Sequence, residues 1–210
     1  MTALIELHFL PSIEYFCAIA PHDTIVIERQ ENFTRQTYRN RCHILTTQGV
    51  RKLTVPVTTQ GKVKIIDVEI DRSVRWQDRM WRSIESAYSK APYFEHYADE
   101  LRAELFYKGR HLYELNYRLL SMCLNWLKWQ NIILETEVYE KVPSPSHTDL
   151  RDAISAKKDY QQRGFYQATA YQQVFGKEFT PNLSLLDLVF CEGPYGTTLV
   201  KGSSKGELNK

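Results

Sequence analysis

The sequence predicts an α/β fold: a mixed sheet with an opening parallel strand–helix–strand unit, a small strand meander and a helical C-terminal half. Three observations predict it. Two short apolar runs, "ALIEL" and "DTIVIE", flank a segment of helical period. Residues 38–71 carry alternating apolar and polar side chains. From residue 73 onward the apolar spacing becomes helical.

The opening unit comes first. "ALIEL" reads as a buried strand that ends at His8. Pro11 turns the chain and Ser12 is a helix N-cap by type. Ile13, Phe16, Cys17 and Ala20 then recur on one helical face. "TIVIE" is the next strand, and a short crossover helix joins parallel neighbours.

In the meander, Leu53, Val55 and Val57 alternate with polar positions, Pro56 marks an edge, and Lys64 to Asp71 alternates again. About three strands are expected over 38–71. Helices follow over Ser73–Tyr88, Glu95–Lys108 and Leu112–Trp129, broken by "KAPYF" and by Gly109. "NIILETEV" is a further strand. "HTDLRDAISAKK" opens a helix with Thr148 as cap and Asp149 in its first turn. "NLSLLD" starts another, Ser184 capping with Asp187 as its capping-box partner, and Gly193-Pro194 ends it.

The chain has 210 residues, 43% of them hydrophobic, enough for one core. A single domain is expected over 1–195. The breaker cluster "PSPS" (143–146) marks a sub-lobe from 147, and the Gly/Ser/Lys-rich stretch 196–210 is read as a disordered tail. A net charge of +2 with mixed signs predicts neither a nucleic-acid nor a membrane-surface partner. No run of 18 apolar residues predicts a membrane span, and the first ten residues lack a secretory pattern. The scattered Cys17, Cys42, Cys123 and Cys191 fit a reduced, cytoplasmic protein without a metal site. No cofactor motif is present, so none is expected.

Candidate chemistry gathers at the opening turn. In open α/β sheets ligands bind beyond the carboxyl ends of strands. His8 stands at such an end, before a helix start, and suits general acid–base work. Its structural alternative is a histidine bonded to backbone in a tight turn. Arg39, Arg41 and His43 alternate, so a strand puts them on one face. Arginine forks suit phosphate or carboxylate, or they pair with Glu28, Glu31 or Asp67. Asp149 and Arg151, two apart on a helix, would not face each other. The strand, "FLP" turn, helix and strand order is also similar to nucleotidyltransferases of the HIGH type. Their two histidines correspond to Ile13 and Phe16 here, so the likeness is one of fold alone.

Several blocks in order resemble the WbqC-like protein family: "HFLPSIEYF", "HDTIVIE", "YRNRCHI", "LTVPV", "KAPYFEHY", "LYELNYRLL" and "FTPNLSLLDLVFCEGP". They span about residues 5–195. Where the family usually has Gln-Pro before the "FLP" turn, Glu6, Leu7 and His8 stand here. The family occurs among genes for surface polysaccharide, including O-antigen. The resemblance names a family of unestablished reaction, and the function expected within it is a transferase acting on an activated sugar, a nucleotide-sugar or another small anionic metabolite. His8 and Asp149 are then the expected catalytic residues, and Arg39, Arg41, Arg151 and Asn182 the ligand-binding ones. The alternative is a non-catalytic binding or scaffold protein.

Overall fold

The computed structural model describes residues 1–59 and 61–205. A four-stranded sheet forms the centre. Its strands are β1 (Thr2–Ile5), β2 (Thr24–Ile27), β5 (Ile132–Glu135) and β6 (His147–Asp149), in spatial order β5-β2-β1-β6. Every pairing among them is parallel. The opening unit is as expected: β1 and β2 are adjacent and parallel, with Thr2 opposite Thr24 and Ile5 opposite Ile27, and α1 (Ile13–Ile19) crosses between them. Ala3, Ile5, Ile25 and Ile27 form the fully buried face. Leu4 and Val26 alternate onto the other face, where Ile132 and Leu134 of the edge strand β5 are exposed.

Between β2 and β5 the chain builds the hairpin β3 (Arg41–Thr46) and β4 (Gly49–Thr54), then three helices: α2 (Trp76–Tyr88), α3 (Phe94–Leu105) and α4 (Leu112–Trp126). Each helix buries a stripe: Met80, Trp81, Ile84 and Tyr88 on α2; Ala98, Leu101 and Leu105 on α3; Leu115, Leu119 and Cys123 on α4. The stripes are contiguous with one core that also holds Phe9, Tyr15 and Phe190. Among the described residues no helix is long and apolar enough to cross a membrane.

Four local expectations are corrected. The third meander strand is absent: Ile65–Asp67 is a 3₁₀ turn, and Val57 meets Ile70 in an isolated bridge. The Ile70 N–H donates to the Arg110 carbonyl and Leu112 N–H to that of Val68, so the segment pairs with the chain entering α4. Residues 147–149 are strand, not helix, because β6 completes the parallel ladder beside β1. That also makes residue 147 part of the central sheet. Gly196–Ser203, read as tail from composition, forms α6 on α1, fixed where Ser204 Oγ donates to the Cys17 carbonyl. Residues 206–210 of that tail lie outside the described residues.

The fourth correction concerns Asp187 in α5 (Leu185–Glu192). Ser184 caps this helix, accepting from Leu186 N–H at 3.4 Å and donating to the Leu10 carbonyl at 3.0 Å. Asp187 is no capping-box partner. Its buried carboxylate accepts from Tyr88 Oη at 2.8 Å, Tyr171 Oη at 2.6 Å and Gln173 Nε2 at 2.8 Å. Three donors from two distant segments, α2 and the 171–173 stretch, outcompete the local backbone.

Two outcomes follow from these contacts. Ser184→Ala removes a cap and leaves the Leu10 carbonyl without that donor, and should cost about 1–2 kcal/mol in chemical denaturation. Burial pushes the Asp187 carboxyl above its ordinary 3.8, against its three hydrogen bonds. The native state then keeps that proton to higher pH than the unfolded chain, so its contribution falls as pH rises above about 4. Asp187→Asn cannot ionise. Its midpoint relative to the unmodified protein should therefore climb with pH across that window.

Candidate functional site

The four parallel strands end at one level, and there the sequence turns from apolar to charged. β1 runs into Glu6 and His8, β2 into Glu28, β5 ends on Glu135, and β6 runs into Arg151 and Asp152. Pairing in register is what gathers them, because residues that follow equivalent ladder positions must emerge side by side.

On one side lies a buried ionic network. The Arg39 guanidinium donates from Nε to Glu31 Oε1 at 2.8 Å and from Nη2 to Glu31 Oε2 at 2.5 Å. The same Nη2 reaches Asp152 Oδ1 at 2.9 Å and stands 3.8 Å from Glu6 Oε1. Glu6 Oε2 accepts the Asp152 backbone N–H at 3.1 Å. His8 Nε2 is 3.1 Å from Glu6 Oε1, with its ring against Tyr15 and Tyr38. His8, Glu6 and Arg39 are each under 4% exposed, while the Asp152 side chain is 78% exposed. The network thus runs from core to surface.

One guanidinium cannot neutralise three carboxylates. Burial acts to raise Glu6, but His8 and Arg39 outweigh it and hold it below the usual carboxylate range. At Glu31 burial wins: despite the Arg39 bonds, and with Glu6 and Asp152 nearby, its carboxyl is pushed up to about 7. The site therefore contains a carboxyl that exchanges a proton near neutral pH.

On the other side is a cleft of about 410 Å³ over Leu4, Val26 and Leu134, with Glu28, His147 and Arg151 as polar lining. Arg151 forks onto Asp149, Nε to Oδ1 and Nη2 to Oδ2 both at 2.8 Å. Its Nη1 donates to Glu28 Oε2 at 3.0 Å and to the Glu140 carbonyl at 2.8 Å. The guanidinium lies over the Tyr139 ring, 5.0 Å from its centroid. Arg151's hydrogen bonds hold Asp149 below the usual range.

The expected residues fall into three groups. His8 and Arg39 meet the same Glu6 oxygen, with the Arg39–Glu31 pair that the sequence allowed as an alternative. Asp149 and Arg151 face each other after all, because they flank the end of a strand rather than sitting on a helix. Arg41 and Asn182 stand elsewhere. Arg41 opens β3, half-buried and without an ion pair among the described residues. Asn182 Oδ1 accepts the Glu14 N–H at 3.1 Å, capping α1 in place of Ser12, whose side chain makes no cap bond. Glu6, Glu28 and Asp152 are the members that the sequence reading did not place in the site. Their position just beyond a strand end is the signal that could have found them.

All four cysteines are buried free thiols, and burial raises each one, so no thiolate nucleophile is at hand. No group of three His, Cys, Asp or Glu among the described residues is arranged to hold a metal.

Arg39→Ala would strand Glu6 and Glu31 without their cation. It should cost about 3–5 kcal/mol at neutral pH. Glu31→Gln in the same background should recover part of that loss, read as a coupling energy in a double-mutant cycle.

The family model described as the WbqC-like protein family matches residues 7–162. An uncharacterised protein of Mycobacterium tuberculosis (strain ATCC 25618 / H37Rv), Rv1507c, is 30% identical over 220 residues, covering 91% of this chain and 93% of its own. No solved structure matches. With the family model spanning well over half of it, the chain belongs to the WbqC-like protein family.

Proposed function

We propose that the protein is a transferase that binds an activated sugar or similar small metabolite in the cleft at the carboxyl ends of β2, β5 and β6. Its setting would be surface-polysaccharide biosynthesis, as the family resemblance implies. The observation that carries the reading is the convergence of Glu28 and Arg151, just beyond the strand ends, on a cleft of small-molecule size that reaches over the sheet to His147 at the start of β6. Carboxylates outnumber cations there, with Glu28, Glu135, Glu137 and Glu140 around Arg151. Such a lining accepts hydrogen bonds from hydroxyl groups and repels phosphate. The sugar moiety is therefore the part held in the cleft, with any phosphate directed outward.

The buried network supplies the acid–base function in this reading. Arg151 and Asp152 are consecutive, so cleft and network share one stretch of backbone. Glu31 holds a proton near neutral pH, Arg39 links it to Asp152, and His8 fixes the Glu6 carboxylate from within. His8 then acts on the site through Glu6 rather than touching substrate. Exposed Ile132, Leu134, Val138 and Val142 near the cleft favour a second reading, a non-catalytic binding protein with an apolar contact face.

A panel of nucleotide-sugars with acyl and aminoacyl donors, followed by mass spectrometry, separates the two. Turnover by the unmodified protein is expected. Arg151→Ala should abolish binding. Glu31→Gln should lower kcat by about 10²-fold or more with KM little changed, the signature of a lost acid–base group. Saturable binding without turnover across the panel would favour the binding protein.

A further inference from the structure

Away from this site, a groove of about 490 Å³ lies between the β3–β4 hairpin and α2. Its lining reveals its orientation. Arg51, Lys52, Leu53 and Thr54, four consecutive residues of β4, all line it. Successive strand side chains point to opposite faces, so a cavity touched by four in a row runs along the strand's edge. Opposite stand Trp76, Arg79, Met80 and Ser83, which recur at helical spacing and form one face of α2. β4 pairs with β3 on its inner side and meets no third strand among the described residues. Its outer backbone N–H and C=O groups thus border the groove.

The chemistry of the groove is one-sided. Leu53, Trp76 and Met80 make an apolar floor, each nearly buried. Arg51, Lys52, Arg79 and Arg82 surround it, and no carboxylate lines it. None of the four forms an ion pair among the described residues. The indole N–H of Trp76 has no acceptor among them either.

We propose that this groove binds an extended acidic peptide segment of a partner protein, added as a third strand to the β3–β4 hairpin. Each part of the occupant answers a part of the groove. A strand edge facing a helix with a gap between them fits an inserted strand, whose backbone pairs with the free edge. The apolar floor takes alternate apolar side chains. Four unpaired cations match acidic residues at the intervening positions. A small organic anion would use the cations but leave the strand edge without a partner.

The test uses the full chain and a fluorescein-labelled, capped heptapeptide alternating valine and glutamate, read by fluorescence anisotropy. Saturable binding is expected, weakened by added salt. The double variant Arg79→Glu/Arg82→Glu should weaken it ~10-fold or more, as should Lys52→Glu with Arg51→Glu. These side chains are exposed, and circular dichroism checks that the fold is kept. A lysine-for-glutamate peptide should not bind. Methylating the backbone nitrogens of one alternate set of residues should abolish binding, while methylating the other set should spare it. Equal binding of both methylated peptides, unchanged affinity in the charge variants, or no saturable binding of the parent peptide would overturn the proposal. So would tighter binding of hexyl phosphate than of the peptide. Concentration-dependent dimerisation abolished by the same charge variants would make a second copy the occupant and would equally overturn it.

Discussion

The Arg39 guanidinium is the cation on which the carboxyl edge of the sheet depends. Burying a carboxylate is costly unless it is paired. Here Glu6 at the end of β1, Glu31 beyond β2 and Asp152 beyond β6 all lean on one arginine. Three segments distant in sequence are therefore tied at one point. The same crowding has a chemical result. Burial, with Glu6 and Asp152 close by, pushes the Glu31 carboxyl up to about 7 despite the Arg39 bonds. The structural tie and the raised carboxyl belong to one arrangement.

A second buried pair does related work in the first turn of α1. Arg163 forks onto Glu14, Nε to Oε1 at 2.6 Å and Nη2 to Oε2 at 2.5 Å, and Asn182 Nδ2 donates to the same carboxylate at 2.9 Å. The irregular segment between β6 and α5 is held to α1 by these contacts rather than by secondary structure of its own. A sequence motif such as "PNLSLLD" is specific because Asn182 caps one helix and Ser184 the next.

Much of the architecture was legible because local and global preferences agree there. β1, α1 and β2 have matching periodicity, turn chemistry and burial. The three long helices carry apolar stripes of the right period, and α5 begins at the capping serine. What was not legible required partners far away. The chain from Lys64 to Asp71 alternates like a strand, but its backbone finds the approach to α4 instead of β4. "HTD" looks like a helix start until β1 offers it a ladder. Gly196–Ser203 has a linker's composition and becomes a helix because α1 and α5 give it a surface. At the candidate site, His8, Arg39, Asp149 and Arg151 could be named from the sequence, while Glu6, Glu28 and Asp152 were not. The Arg39–Glu31 pair was open to the sequence, but the Arg39–Asp152 contact was not, since those residues are 113 positions apart.

The position of β1 has a consequence for how the molecule is made. The first strand lies inside the sheet, flanked by β2 and by β6, and the Thr2–His147 register spans most of the chain. The first helix is capped by a residue 168 positions later. A ribosome emitting this chain from its N-terminus therefore releases β1 and α1 long before their last partners exist. Long-range pairings of this kind are slow to close. The nascent N-terminal half must carry an unpaired strand side and an uncapped helix until residues 147–182 emerge. Its folding is in this sense deferred, with residues 147–182 completing what residues 2–19 began.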